Sequence, residues 1–214
     1  MNWSGEKMNV SINGLFPVPV AQIEERSPTE KELSFIKDLE TTNNYQNLTS
    51  KDKNVLDKEE LSDLRRSIQH HIDNYFRDGL GAEKDCSLKI TQSWCNYNDA
   101  DQSHHLHNHP NSAVSGVYYP QADHPNDNLQ FHSPLLIFNQ VVQFNHKPSM
   151  FNAQGCILPV KTGTLFLFPS YLYHSVEPVP DRKSTRISLS FNTFYTGFLG
   201  KEQDLTALKI KVED

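Results

Sequence analysis

Ten histidines occur in the 214 residues, and four of them, His104, His105, His107 and His109, fall in one stretch, Ser103-His104-His105-Leu106-His107-Asn108-His109-Pro110. Neutral imidazole is a ligand suited to iron, zinc, copper and nickel. Side chains two apart on an extended strand share a face, so His107 with His109, or His105 with His107, can aim two rings at one ion. A third ligand has to come from elsewhere. His174, in Tyr173-His174-Ser175-Val176-Glu177-Pro178, is the best-placed candidate. His70, His71, His124, His132 and His146 have no spaced partner and are expected to be structural or exposed. His104, alternating off the ligand face, is expected to join them. The plainer alternative is a histidine-rich tract that captures metal adventitiously.

A second group follows in Arg186-Ile187-Ser188-Leu189-Ser190-Phe191-Asn192, which alternates polar and apolar as a strand with one face on a cavity does. Arg186 and Ser188 share that face. A guanidinium pairs bidentately with a carboxylate, and a hydroxyl two residues on can donate to the same group, so the pair suits the far carboxylate of a small diacid. Three protein ligands on one face of an octahedral ion leave positions open for a bidentate co-substrate and O2, the arrangement of non-heme Fe(II) oxygenases. The plainer reading of this strand is a surface strand with an exposed arginine.

The elements that must position these groups are legible from periodicity. Ser27-Pro28-Thr29-Glu30 has capping-box spacing and predicts a helix to about residue 41. Residues 42–57 are polar, without period, and read as a loop. A second helix is expected from Asp57, with Glu60 at cap spacing, burying Leu61, Leu64, Ile68, Ile72, Tyr75 and Phe76 until Gly79 and Gly81 end it. From residue 88 onward, short β-rich runs at 113–120, 135–144, 164–168 and 186–195 are separated by Pro, Asn, Asp and Gly. No helical period lies between them, so the pattern is an antiparallel jelly roll with N-terminal helices packed on it, not a parallel α/β fold.

The length suits one domain: residues 1–87 as N-terminal strand and helices, 88–199 as the jelly-roll core and 200–214 as a tail. Twelve Phe, 8 Tyr and 2 Trp supply large side chains to fill such a core. A net charge of −6 and a pI near 5.9 argue against general nucleic-acid binding. Three cysteines without CxxC spacing suggest neither a disulfide framework nor a cysteine zinc site, and fit a reducing cytoplasm. The N-terminal ten residues lack the pattern of a secretory signal, and no run of about 18 apolar residues occurs, so no membrane partner is expected. Oligomeric state is open, a homodimer being one arrangement.

With its motifs in this order, the chain resembles the Fe(II)/2-oxoglutarate-dependent oxygenases. Their pattern is H-x-D or H-x-E, then a distal His, then an Arg roughly ten residues later. More narrowly, His107-Asn108-His109-Pro110, Ser115-Gly116-Val117-Tyr118-Tyr119, Phe168-Pro169-Ser170, His174 and Arg186-Ile187-Ser188 are similar to a family of such oxygenases common in marine bacteria and their phages. The resemblance spans about residues 88–195, with a weaker echo at Leu15-Phe16-Pro17. It implies a mainly β, cupin-like double-stranded β-helix, Fe(II), 2-oxoglutarate and O2, and hydroxylation of an unknown substrate, a protein side chain or a small molecule. It also implies iron on His107, His109 and His174, with His105 the alternative ligand, and 2-oxoglutarate held by Arg186 and Ser188. Tyr119 would reach the same carboxylate while Tyr118 faces the other way, Asn96 is a weaker candidate on an adjacent strand, and Trp94 packs the core. The chain departs from the superfamily at His109, which stands where a carboxylate is usual. A neutral ligand there raises the charge at the metal by one unit, favouring anionic co-substrates.

Two other readings compete: a non-catalytic jelly-roll interaction module whose histidines bind zinc or nickel, and a three-histidine, cupin-type dioxygenase that does not use 2-oxoglutarate. Arg186 with Ser188 is the feature that separates them from the first. Substrate choice falls to loops such as 121–128 and 145–154.

Overall fold

The computed structural model describes residues 11, 13–134, 149 and 152–211. A short strand, β1 (Ala21–Glu24), precedes α1 (Glu30–Lys37), and the cap of α1 is Thr29 with Glu32, two residues beyond the expected pair. The Glu32 amide donates to Thr29 Oγ1 at 3.2 Å and the Thr29 amide to the Glu32 carboxylate at 2.7 Å. Glu32 wins over Glu30 because Arg26 also grips it, through two hydrogen bonds of 2.6 and 2.7 Å, which lets the carboxylate be buried.

The helix stops short of residue 41, and the segment expected as a loop contains a hairpin, β2 (Thr41–Asn44) and β3 (Asn47–Ser50). Its polar sequence has no apolar alternation to announce a strand. The pairing is tertiary: β3 adds to the edge of β4 (Cys86–Asn98), with Leu48 opposite Tyr97 and Thr49 opposite Asn96. The second helix also starts later than expected. Two 3-10 turns, Val55–Asp57 and Glu59–Leu61, lead into α2 (Ser62–Asn74), which ends in a π turn, Tyr75–Gly79. Asp57 caps nothing and pairs with Arg65 instead. The expected apolar face of Leu61, Leu64, Ile68, Ile72, Tyr75 and Phe76 is buried throughout.

The remaining strands are β5 (His104–His107), β6 (Val114–Gln121), β7 (Asn128–His132), β8 (Gly155–Pro159), β9 (Thr164–Pro169), β10 (His174–Val176), β11 (Arg186–Leu199) and β12 (Leu208–Ile210). The run expected at 135–144 lies outside the described residues. An eight-stranded antiparallel sheet has the order β1-β9-β6-β11-β4-β3-β2, with β12 also on β11, and a four-stranded sheet has the order β5-β10-β7-β8. The fold is mainly β, a jelly roll. Its large sheet is completed by three strands from the first 50 residues, so the N-terminal part contributes more than the helices.

Two cores result from the alternation of side chains along β6, β9 and β11. Tyr118, Leu165, Leu167, Ile187, Leu189 and Phe191 point toward the helices, where they meet Ile36, Leu64, Ile68 and Ile72. Val117, Tyr119, Phe166 and Phe168 point the other way, onto Leu129, Phe131 and Val176 of the small sheet. The same alternation sends Arg186, Ser188, Ser190 and Asn192 into the space between the sheets.

Candidate metal and co-substrate site

His107 and His174 sit directly opposite each other on β5 and β10. His109 follows β5 in the loop, its amide donating to the Ser170 carbonyl at 3.0 Å. The ring centroids are 4.3 Å apart for His107 and His174, 5.1 Å for His109 and His174, and 5.2 Å for His107 and His109. One ligand nitrogen from each lies within 4.8 Å of the others.

Each ring has its Nδ1 turned outward to an oxygen: His107 to the His105 carbonyl at 2.8 Å, His174 to the Leu172 carbonyl at 3.0 Å, and His109 to Asn192 Oδ1 at 2.6 Å. A carbonyl oxygen only accepts, so Nδ1 carries the proton on all three rings and Nε2 presents its lone pair. Burial pushes the His107 imidazole down to about 4, against the opposing pull of the His105 carbonyl. Burial likewise lowers His109, with Asn192 opposing, and carries His174 well below the ordinary histidine value. All three are therefore neutral near pH 7, the form that ligates.

The donor set fits a divalent ion. Among the described residues, His109 Nε2 is buried without a hydrogen-bond partner, as are Asn96 Oδ1, Tyr119 Oη and Arg186 Nε. An unsatisfied buried polar atom costs about 1–3 kcal/mol, and three of these residues, Asn96, Tyr119 and Arg186, border one space. That cavity, about 340 Å³ with its open mouth included, is lined by Trp94, Asn96, His104, His107, Tyr119, His174, Arg186, Ser188 and Ser190, with Val117, Leu129 and Val176 as its apolar wall.

Arg186 is only 2% exposed. It donates to the Asn128 carbonyl at 3.3 Å and lies 3.8 Å from the Asp127 carboxylate. Arg182 already takes both oxygens of Asp127, so two buried guanidinium groups share one carboxylate. The surplus of one positive charge is what an anion in the cavity would balance. The Arg186 guanidinium also lies over the Tyr119 ring, 4.8 Å from its centroid, while burial pushes the Tyr119 phenol up to about 12 and keeps it a donor. Tyr118 faces away, donating to the Arg26 carbonyl at 2.8 Å. Ser188 is paired with Asn96 across β11 and β4 and is buried with it.

Two sequence-based placements are corrected. Trp94 is half-buried, not part of either core; it lines the cavity, its ring 5.5 Å from that of His109. His104 does not turn off the site. Two residues of β10, His174 to Val176, span three of β5, His107 to His104, so β5 carries a bulge that brings His104 round to the side of His107. The two rings stack with centroids 4.4 Å apart, and His104 lines the cavity. His105 is exposed and packs edge-on against Tyr45. It belongs to a second possible metal-holding group, His104, His105 and His107.

The other histidines behave as expected: His71 bonds Glu25 at 2.8 Å, His70 Asn74 at 3.1 Å and His132 Ser175 at 2.9 Å, and His124 pairs with Asp181 at 3.2 Å. His146 lies outside the described residues, as does most of the 145–154 loop.

Sequence reasoning missed Asn192, Asp127 and Arg182. Asn192 could have been found, since it continues the polar phase of Arg186, Ser188 and Ser190. It accepts from His109 and, at 2.9 Å, from the Ser115 hydroxyl, which bonds Ser170 at 2.8 Å. Asp127 and Arg182 sit in loops and carry no periodic signal.

Residues 92–192 match the family model described as "Putative 2OG-Fe(II) oxygenase". No curated protein sequence matches the chain. Among solved structures, a prolyl-4-hydroxylase from Pseudomonas putida superposes with a TM-score of 0.51 at 15% identity, covering 82% of this chain and 92% of that one. HygX from Streptomyces hygroscopicus, solved with nickel, 2-oxoglutarate and hygromycin B, gives 0.55 at 11%, covering 82% of each. The α-ketoglutarate-dependent epimerase SnoN of nogalamycin biosynthesis gives 0.56 at 11%, covering 84% and 80%. At these identities the likeness is one of fold. The family match covers the stretch that carries the histidines and Arg186, and over that stretch the chain is similar to the 2OG-Fe(II) oxygenases.

Proposed function

We propose that this protein is an Fe(II)- and 2-oxoglutarate-dependent dioxygenase of hydroxylase type, acting in the cytoplasm on a protein side chain or a small molecule. The observation that carries the reading is the pairing of three outward-tethered imidazoles with a cavity that ends in Arg186 and an uncompensated positive charge. His107, His109 and His174 would hold the iron through Nε2. Arg186, with Ser188 and the Tyr119 hydroxyl, would bind the far carboxylate of 2-oxoglutarate, and Asn96 would serve its remaining polar edge.

Bound iron with 2-oxoglutarate supplies O2 activation, coupling decarboxylation of the co-substrate to oxidation of a substrate C–H bond. The chain's own part is positioning and exclusion. Val117, Leu129 and Val176 keep the cavity wall dry, which strengthens the Arg186–carboxylate attraction. The unpaired Cys86, Cys95 and Cys156 suit a reducing compartment. We treat the 214 residues as one unit, since β1, β2 and β3 complete the sheet that holds Arg186.

The test is succinate formation by protein purified without air, dependent on added Fe(II) and O2, with a product that has gained one oxygen atom. Iron binding without 2-oxoglutarate turnover would count against it. The SnoN epimerase has the same fold, so product analysis is what decides for hydroxylation. One observation favours a second reading: both possible metal-holding groups among the described residues consist of histidines alone. A three-histidine dioxygenase independent of 2-oxoglutarate would consume O2 with substrate and Fe(II) only.

A further inference from the structure

The β5 bulge has a cost and a result. It interrupts the ladder opposite Ser175, and it turns an imidazole that plain alternation would send to solvent into the cavity beside His107. His104 thereby becomes a nitrogen-bearing side chain of the cavity that is needed neither by the His107, His109 and His174 group nor by the Asp127 pairing. It shares the cavity with Arg186 and Ser188 and stacks on His107 with an interplanar angle of 16°.

We infer that His104 is a co-substrate-binding residue, its imidazole N–H donating to a carboxylate oxygen of 2-oxoglutarate in the space between His107 and Arg186. This rests on the proposed function above. The His107 ring covers one face of the His104 ring, whose nitrogens lie at its edge, and a donor to an ionised carboxylate is among the stronger hydrogen bonds a neutral side chain can make. His104 therefore sets affinity for the diacid, while the three-histidine group sets affinity for the metal.

The test uses full-length protein loaded with Ni(II), which binds 2-oxoglutarate without turnover, and measures both affinities by calorimetry. His104→Phe keeps a ring to stack on His107 and removes the donor, whereas His104→Gln keeps a donor without the ring. His104→Phe is expected to weaken 2-oxoglutarate binding about tenfold, in line with loss of one hydrogen bond to a charged group. His104→Gln should recover most of that, and Ni(II) affinity should be unchanged in both. Equal 2-oxoglutarate affinity in wild type and His104→Phe would overturn the inference while leaving the oxygenase reading intact. Loss of Ni(II) affinity would overturn it in favour of His104 as a ligand in the group with His105 and His107. Absence of 2-oxoglutarate binding in the wild type would instead sink the reading beneath it. Should His104→Phe not fold, His104→Ala takes its place with the same expectations.

Discussion

At the scale of single residues, the side chains proposed to hold the metal and those proposed to hold the anion are different, so each role has its own test. Arg186→Ala leaves the three imidazoles untouched but deletes the guanidinium at the end of the cavity. We expect 2-oxoglutarate affinity to fall by at least about tenfold, since a bidentate charged pair is lost, with Ni(II) affinity retained. Calorimetry on the Ni(II)-loaded protein checks both. Asn192→Ala should do the opposite. It removes the acceptor that orients the His109 ring and leaves Nδ1 unsatisfied, so metal affinity should drop by about 10- to 100-fold in a Ni(II) titration. A variant that bound metal normally would show that the Ser170 carbonyl and the Trp94 ring suffice to place His109.

At the scale of elements, a Cβ at Gly116 of the large sheet would overlap the Phe191 ring and Leu167, whose side chains would have to shift. Gly116→Ala should cost about 1–3 kcal/mol in chemical unfolding by overpacking, and should loosen β6 against β11. The α1 cap makes a pH-dependent contribution. The hydrogen-bonded Arg26 guanidinium holds the Glu32 carboxyl below its ordinary value of 4.5, against the opposing effect of burial. A carboxyl whose folded value is depressed stabilises the fold fully above its unfolded value and loses that contribution as pH falls through the folded one. Glu32→Gln should therefore destabilise the protein near pH 7 by about 1–2 kcal/mol, through the lost ion pair and capping bond. Its unfolding midpoint should converge with wild type as pH drops below 4.5. A gap that stayed constant across the acid range would assign the loss to packing alone.

At the scale of the whole molecule, the buried Asp127, Arg182 and Arg186 group ties the β6–β7 loop, the loop before β11 and the site into one electrostatic unit. Asp127→Asn leaves two buried guanidinium groups without a carboxylate and should destabilise the fold by about 3–5 kcal/mol. Because the group lacks one negative charge, a dicarboxylate that reaches it should stabilise the native state. With Ni(II) present, 2-oxoglutarate at a hundredfold excess over its Kd should add about 2.7 kcal/mol and raise Tm accordingly. The same addition to Arg186→Ala at that concentration should leave Tm nearly unmoved.

The apolar face of α2, the alternation from Arg186 to Asn192 and the spacing of His107 and His109 were readable in the chain, because each follows from a short-range period and from the burial it demands. The jelly-roll class followed for the same reason, while Tyr118 and Tyr119 facing opposite ways followed from the family resemblance. The hairpin at 41–50 was not readable, since its polar strands owe their existence to a neighbour nearly fifty residues away. His104 was misplaced for a related reason: a bulge on β5 is fixed by its register against β10, and one extra residue reverses which side chain faces the cavity. Asp127 and Arg182 were invisible because ion pairing in loops leaves no pattern. By itself the sequence marked which residues are candidates to bind metal and anion and which faces must be buried. The tertiary structure alone decided that His174 lies opposite His107, that Trp94 and His104 border the site, and that one positive charge is left over, because distance and charge balance across strands are not properties of any local stretch of chain.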